Sequence, residues 1–277
     1  EKVINLGIPH VGELIFERID TPGLIQFMLV SKTWKELAEN VLIKRWKGKM
    51  LEACQHGETK IVQLLLEHCS AEESGVKSKD DDGYTSLMVA CTNGHKDVVK
   101  LLLNYPIIEL YTRTIHRSTA LMLACEDGHK DVVKLLLDHL EPDIELNKRD
   151  VVGWTSFMLA CIYGHKDVVQ LLLDQSDSKI ELNARDNSGR TAFMLACREG
   201  HKDVVKYLLE YSDSNIELNA RDNDGRTAFK LACRAANKDV VKLLMEYAKI
   251  DINIPEDLQG WFRFVDNFGC LDITKNL

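Results

Sequence analysis

Four histidines have the surroundings of general bases, each followed two residues later by an aspartate: His95, His129, His165 and His201. An imidazole oriented by a carboxylate is the usual proton acceptor of a hydrolytic site. The second reactive set is the cysteines, eight in all, which suit zinc ligands or disulfides. Cys91, Cys125, Cys161, Cys197 and Cys233 each follow an alanine, and Cys54 holds the same place in a fainter copy. Both sets recur at regular spacing, and that regularity decides the reading. A catalytic centre needs one asymmetric constellation, whereas a residue that returns every 34 or 36 positions serves the architecture. The histidines therefore read as turn residues that hydrogen-bond between neighbouring units. Cysteines at equivalent places in stacked units lie about 10 Å apart, the spacing of packed helices, and a disulfide needs Cα atoms within about 7 Å. They read as small core residues of a protein in a reducing compartment. No CxxC pair or His/Cys cluster has zinc-site spacing, so neither metal nor cofactor is expected.

The elements that carry these residues follow from the same period. Segments such as TSFMLACIYGHKDVVQLLL begin at Thr85, Thr119, Thr155, Thr191 and Thr227, spaced 34, 36, 36 and 36. A fainter copy runs from Met50 to Cys69. Each unit predicts a helix–turn–helix. Thr155 caps a short helix bearing Phe157, Met158, Leu159, Ala160 and Cys161. Gly164 ends it, and a second helix from about Lys166 to Asp174 places Val168, Val169, Leu171, Leu172 and Leu173 on a broad apolar face. One pair cannot bury that face, but a stack of pairs can.

These residues, GxT then AC then GHKDVVxLLL, resemble the ankyrin repeat over roughly residues 48–257. The resemblance implies an all-α fold, an ankyrin-repeat solenoid of helix-turn-helix units with hairpin fingers. About six repeats are expected, at 47–80, 81–114, 115–150, 151–186, 187–222 and 223–257. The family's Thr-Pro-Leu-His becomes Thr-Ser-Leu-Met or similar here, and Arg117 replaces a hairpin glycine. The extra residues of the longer copies are placed in surface loops such as 176–179.

The first 46 residues lack the repeat. Ile15, Phe16, Ile19, Asp20, Leu24, Val30, Ser31, Lys32, Trp34, Leu37 and Ala38 fall in the register of an F-box, which this segment resembles, with Pro22 one place late. That implies a helical domain over 1–46 docking on the Skp adaptor of a cullin–RING ubiquitin ligase, through Pro9, Leu14, Ile15, Leu24, Val30 and Trp34. The other reading of these amphipathic helices is a plain cap on the stack of a scaffold or inhibitor. Trp46-Lys-Gly-Lys-Met50 leaves almost no linker, so a rigid mount is expected. After the repeats, Trp261, Phe262, Phe264 and Phe268 suggest a C-terminal cap over 258–277.

The copies differ where such proteins meet partners: around the hairpin glycine and just after the repeated cysteine. Read in order these positions turn from acidic to apolar and then to basic. The candidate substrate-binding residues are Tyr84, His116, Val151, Val152, Trp154, Ile162, Tyr163, Arg190, Arg198, Arg226 and Arg234. Val151, Val152, Trp154, Ile162 and Tyr163 predict an apolar anchor, rich in the residue types that dominate interfaces. The four arginines predict an acidic or phosphorylated protein substrate, unless they pair with local aspartates.

A net charge of −8 argues against general affinity for nucleic acid or anionic membranes. Apolar runs reach only about seven residues, against the ~20 that span a bilayer, and the opening residues do not read as a secretory leader. The expectation is a non-catalytic protein-binding receptor of the cytoplasm or nucleus, in a host cell if the source is an intracellular microbe.

Overall fold

The computed structural model describes residues 16–28, 32–139, 146–175, 180–211, 215–247 and 250. The chain divides into two compact units, Glu1–Ile115 and His116–Leu277. Among the described residues all regular elements are helices, and none is long and apolar enough to cross a membrane.

The first unit opens with α1 (Thr21–Phe27) and α2 (Lys32–Trp46), which pack together. Asp20 caps α1 by accepting from the Gly23 amide at 3.0 Å, and Pro22 sits in the first turn, where no backbone donor is needed. The late proline is therefore compatible with an ordinary helix start. Phe16, Leu24, Ala38, Val41 and Leu42 are buried. Arg45, near the end of α2, donates to the carbonyls of Glu17 (3.3 Å) and Ile19 (2.8 Å), and Lys44 pairs with Glu17 at 3.0 Å. These bonds tie the entry of α1 to the exit of α2.

Two helix pairs complete this unit: α3 (Met50–Gln55) with α4 (Thr59–His68), and α6 (Ser86–Thr92) with α7 (Lys96–Leu103). Between them lies α5 (Ala71–Ser74), capped reciprocally by Ser70 and Glu73. The Ser-x-x-Glu signal for α5 stands in the sequence, although the period hides it. Helix α2 packs on α4. In the short join, the Gly48 amide donates to the Glu73 carbonyl at 2.8 Å and Lys47 pairs with Glu73 at 2.7 Å. These contacts join the end of α2 to the first helix pair and α5.

The second unit stacks four more pairs: α8 (Ala120–Glu126) with α9 (Lys130–His139), α10 (Ser156–Ile162) with α11 (Lys166–Gln175), α12 (Ala192–Glu199) with α13 (Lys202–Glu210), and α14 (Ala228–Arg234) with α15 (Lys238–Met245). First helices pack on first helices and second on second. Thr119, Thr155, Thr191 and Thr227 cap the first helices through their hydroxyls, at 3.2–3.4 Å. Across the pairs, His165 Nε2 meets the Glu126 carbonyl at 2.7 Å and His201 Nε2 meets the Ile162 carbonyl at 2.6 Å. In the first unit His95 Nε2 meets the Gln55 carbonyl at 3.0 Å. This is the structural use expected of the repeated histidines. Gly164 has two reasons to be glycine: φ is +76°, and a Cβ would strike the His201 ring. Arg117 accepts φ 64° where the other fingers use glycine.

The seven described cysteines form no disulfide with one another, and the repeated ones are buried. Burial pushes the Cys54 and Cys233 thiols up to about 12 and raises those of Cys125, Cys161 and Cys197. Ser156, at the start of α10, is fully buried and its hydroxyl has no hydrogen-bond partner among the described residues. Other copies carry alanine there, at Ala120, Ala192 and Ala228. Ser156→Ala is expected to stabilise the protein by about 1 kcal/mol, because the desolvated hydroxyl is no longer left unpaired. A urea midpoint at or below that of the parent would contradict this.

Candidate partner-binding surface

Three fingers of the second unit are built by one aspartate each. Asp150 Oδ1 accepts from the amides of Val152 (2.9 Å) and Trp154 (2.8 Å), closing the turn on Gly153. Asp186 does the same for Ser188 and Arg190, and Asp222 for Asp224 and Arg226. Successive fingers join by backbone bonds at 3.0 Å: Val151 N to His116 O, Asn187 N to Val152 O, and Asn223 N to Ser188 O. Arginines extend the ladder. Arg149 Nη1 donates to the Arg185 carbonyl at 2.7 Å, and Arg185 Nη1 to the Arg221 carbonyl at 2.6 Å. Below them Asn147 and Asn183 accept from the amides of Glu181 and Glu217 at 2.9 Å. The signal for this ladder is the repeated Asn-x-Arg-Asp at Asn147, Asn183 and Asn219, which the reading from helices passed over.

The ladder changes the standing of the candidate residues. Arg190 is only 14% exposed in its side chain and pairs with the fully buried Asp186 carboxylate at 2.7 Å. Arg226 bonds Asp222 at 2.7 Å and Asp224 at 2.6 Å, and Arg198 bonds Glu199 at 2.5 Å. Three of the four arginines expected to clamp an acidic substrate are thus already held by carboxylates. Arg234 is exposed at the end of α14. Trp154 is half-buried, and its indole donates to Asp186 Oδ2 at 3.2 Å. Ile162 is 7% exposed and belongs to the core. Both were expected at the surface; the adjoining finger and helix cover them.

Exposure remains at Val151, Val152 and Tyr163, the large apolar side chains open to solvent among the described residues of this unit. They bracket α10: the valines lie in the finger before it, and Tyr163 is its C-terminal cap. The Tyr163 ring stacks on His165 with centroids 6.4 Å apart. Partial burial raises the Tyr163 pKa first, and the carboxylates of Glu126, Asp127 and Glu199 add to it, with Glu126 also bonded to the hydroxyl. Desolvation likewise lifts Asp127, against the pull of His129 and His165. His116 is exposed beside this finger ladder. Tyr84 lies in the other unit, half-buried, its amide donating to Asp80 Oδ1 at 2.7 Å.

Of the residues assigned to adaptor docking, Leu24 is fully buried between α1 and α2, which makes it core rather than contact. Pro9, Leu14, Ile15 and Val30 lie outside the described residues, as do the side chain of Trp34, the loop 176–179 and the tail 258–277.

Helix pairs that stack like with like, joined by bonded fingers, define a repeat protein. The family model for ankyrin repeats (3 copies) matches at residues 44–114, 107–186 and 178–256, and that for the F-box domain matches at 9–46. The chain belongs to the ankyrin-repeat family and carries an N-terminal F-box domain, an arrangement that fits a substrate adaptor. F-box domains bind the Skp adaptor, and ankyrin repeats bind protein partners. The chain is also similar to osteoclast-stimulating factor 1 of Monopterus albus, 49% identical over 45 residues, which is 16% of this chain and 21% of that relative.

Proposed function

We propose that the chain is the substrate-recognition subunit of a Skp–cullin–F-box ubiquitin ligase. The F-box would hold the adaptor while the ankyrin repeats, read as six from the six helix pairs, hold the substrate. The observation that carries this reading is the join: an F-box whose last helix packs on α4 and whose exit is bonded through Gly48 and Lys47 to Glu73. A receptor acts by geometry. It keeps substrate lysines near the charged conjugating enzyme, raising their effective concentration, and it catalyses nothing itself. A short bonded join ties the F-box to the first helix pair.

Pro9, Leu14, Ile15, Val30 and Trp34 are the proposed adaptor contacts, with Leu24 holding the hairpin together. Apolar anchors of this kind dominate helix-in-groove docking. Buried, reduced thiols suit residence in the cytoplasm or nucleus. The packing of α2 on α4 also suits a second reading, an ankyrin scaffold or inhibitor whose N-terminal helices are a cap.

Gel filtration of the full chain with purified Skp adaptor and the cullin N-terminal domain separates the two. A stable ternary complex is expected. Clean separation, with the chain folded and monomeric, would leave the cap and scaffold.

A further inference from the structure

Most cations of the candidate surface are already paired within the protein. Expectation from sequence pointed to an acidic ligand, but Arg190, Arg198 and Arg226 are each neutralised by a neighbouring carboxylate. Of the exposed apolar residues, Val151 and Val152 stand open in the finger before α10, and Tyr163 stands beside negative charge. Glu126 and Asp127 close α8, Glu199 closes α12, and all three act on Tyr163 at the end of α10 between them. Arg198 offsets one of the three through Glu199, so the surroundings of the ring stay net negative.

We propose that this surface takes a basic segment of the partner protein: an apolar side chain against Val151 and Val152, and a lysine or arginine over Tyr163 among Glu126, Asp127 and Glu199. The assignment rests on the substrate-receptor reading for its biological meaning, and on exposure and charge for its chemistry. An aromatic face with carboxylates around it attracts a cation twice, through the ring quadrupole and through ion pairing. The ring is presented for this by its stacking on His165, which the Glu126 carbonyl holds in turn. The two subsites are separated by α10 and by the finger residues Gly153 to Thr155. The seven residues of α10 alone are about 10 Å long at 1.5 Å each, a span that an extended chain covers in about three residues. The recognised segment therefore has its apolar and basic residues at least about three positions apart.

A displayed random-peptide library selected on the full chain tests this. Selected peptides are expected to carry Lys or Arg at least about three positions from a Leu, Ile, Val or Phe, and to lose roughly tenfold in affinity when the salt is raised to about 0.5 M. The Glu126→Gln, Asp127→Asn, Glu199→Gln triple variant is expected to weaken them about tenfold, and Tyr163→Ala by tenfold or more. Tyr163→Phe keeps the ring and should stay within about threefold, showing that loss in the alanine variant is not loss of folding. Enrichment of acidic or phosphate-mimicking peptides, binding indifferent to the triple variant, or no enrichment at all would overturn the proposal. Formation of the adaptor–cullin complex, measured on the same preparations, reports separately on the receptor reading and is expected to be unchanged in every variant.

Discussion

Raising the pH from 8 to 10 is expected to remove several kcal/mol of folding stability, with reductant present throughout. The cause is five thiols, Cys54, Cys125, Cys161, Cys197 and Cys233, whose pKa burial lifts well above the ordinary value of 9.0. In the native state they remain protonated at pH 10, whereas in the unfolded chain most are thiolates. A group whose folded pKa is raised contributes its full stability below the unfolded pKa, and that contribution fades as pH climbs toward the folded value. At pH 10 the loss is on the order of 1 kcal/mol per thiol, hence several kcal/mol for five. That is comparable to the whole stability of many domains, so the urea midpoint should fall steeply. Cys197→Ala should flatten the pH dependence by about one fifth, whatever it does to absolute stability. A midpoint constant between pH 8 and pH 10 would mean the thiols reach solvent in the native state.

The other large effect is expected at Asp186. Its carboxylate is fully buried and serves four donors: the amides of Ser188 and Arg190, the Arg190 guanidinium and the Trp154 indole. Asp186→Ala removes every acceptor at once and leaves a guanidinium that is only 14% exposed without its counter-charge. Breaking a buried pair in this one-sided way typically costs 3–5 kcal/mol, so a loss of about 4 kcal/mol in denaturant unfolding is expected. Asp224 offers the contrast, since it also pairs with an arginine but is 66% exposed. Asp224→Ala should cost under about 1 kcal/mol. Equal losses at the two positions would deny Asp186 its place as the keystone of the finger.

Much of this was legible in advance. The threonine caps, the glycines at helix ends and the apolar faces of the second helices are local consequences of residue type. A period of 34 to 36 residues repeats them until the stack follows. The repeated histidines were legible as bridges for the same reason. The Asp…Arg spacing that pairs Asp186 with Arg190 was legible too, yet the arginines read as available because position on a variable face says nothing of what a side chain already holds. The partners of Trp154 lay further out of reach, since Asp186 is 32 residues away and comes close only when one finger lies on the next.

The sequence by itself therefore determined the repeating unit, its helices and the family, because capping, backbone freedom and apolar periodicity act within a few residues. Only the tertiary structure decided which variable residues remain open to a partner. It covered Ile162 and Trp154, bound Arg190, Arg198 and Arg226, and left Val151, Val152 and Tyr163 exposed, with carboxylates around Tyr163. Burial and charge pairing depend on what neighbouring repeats bring alongside, and a residue cannot carry that information in its own position.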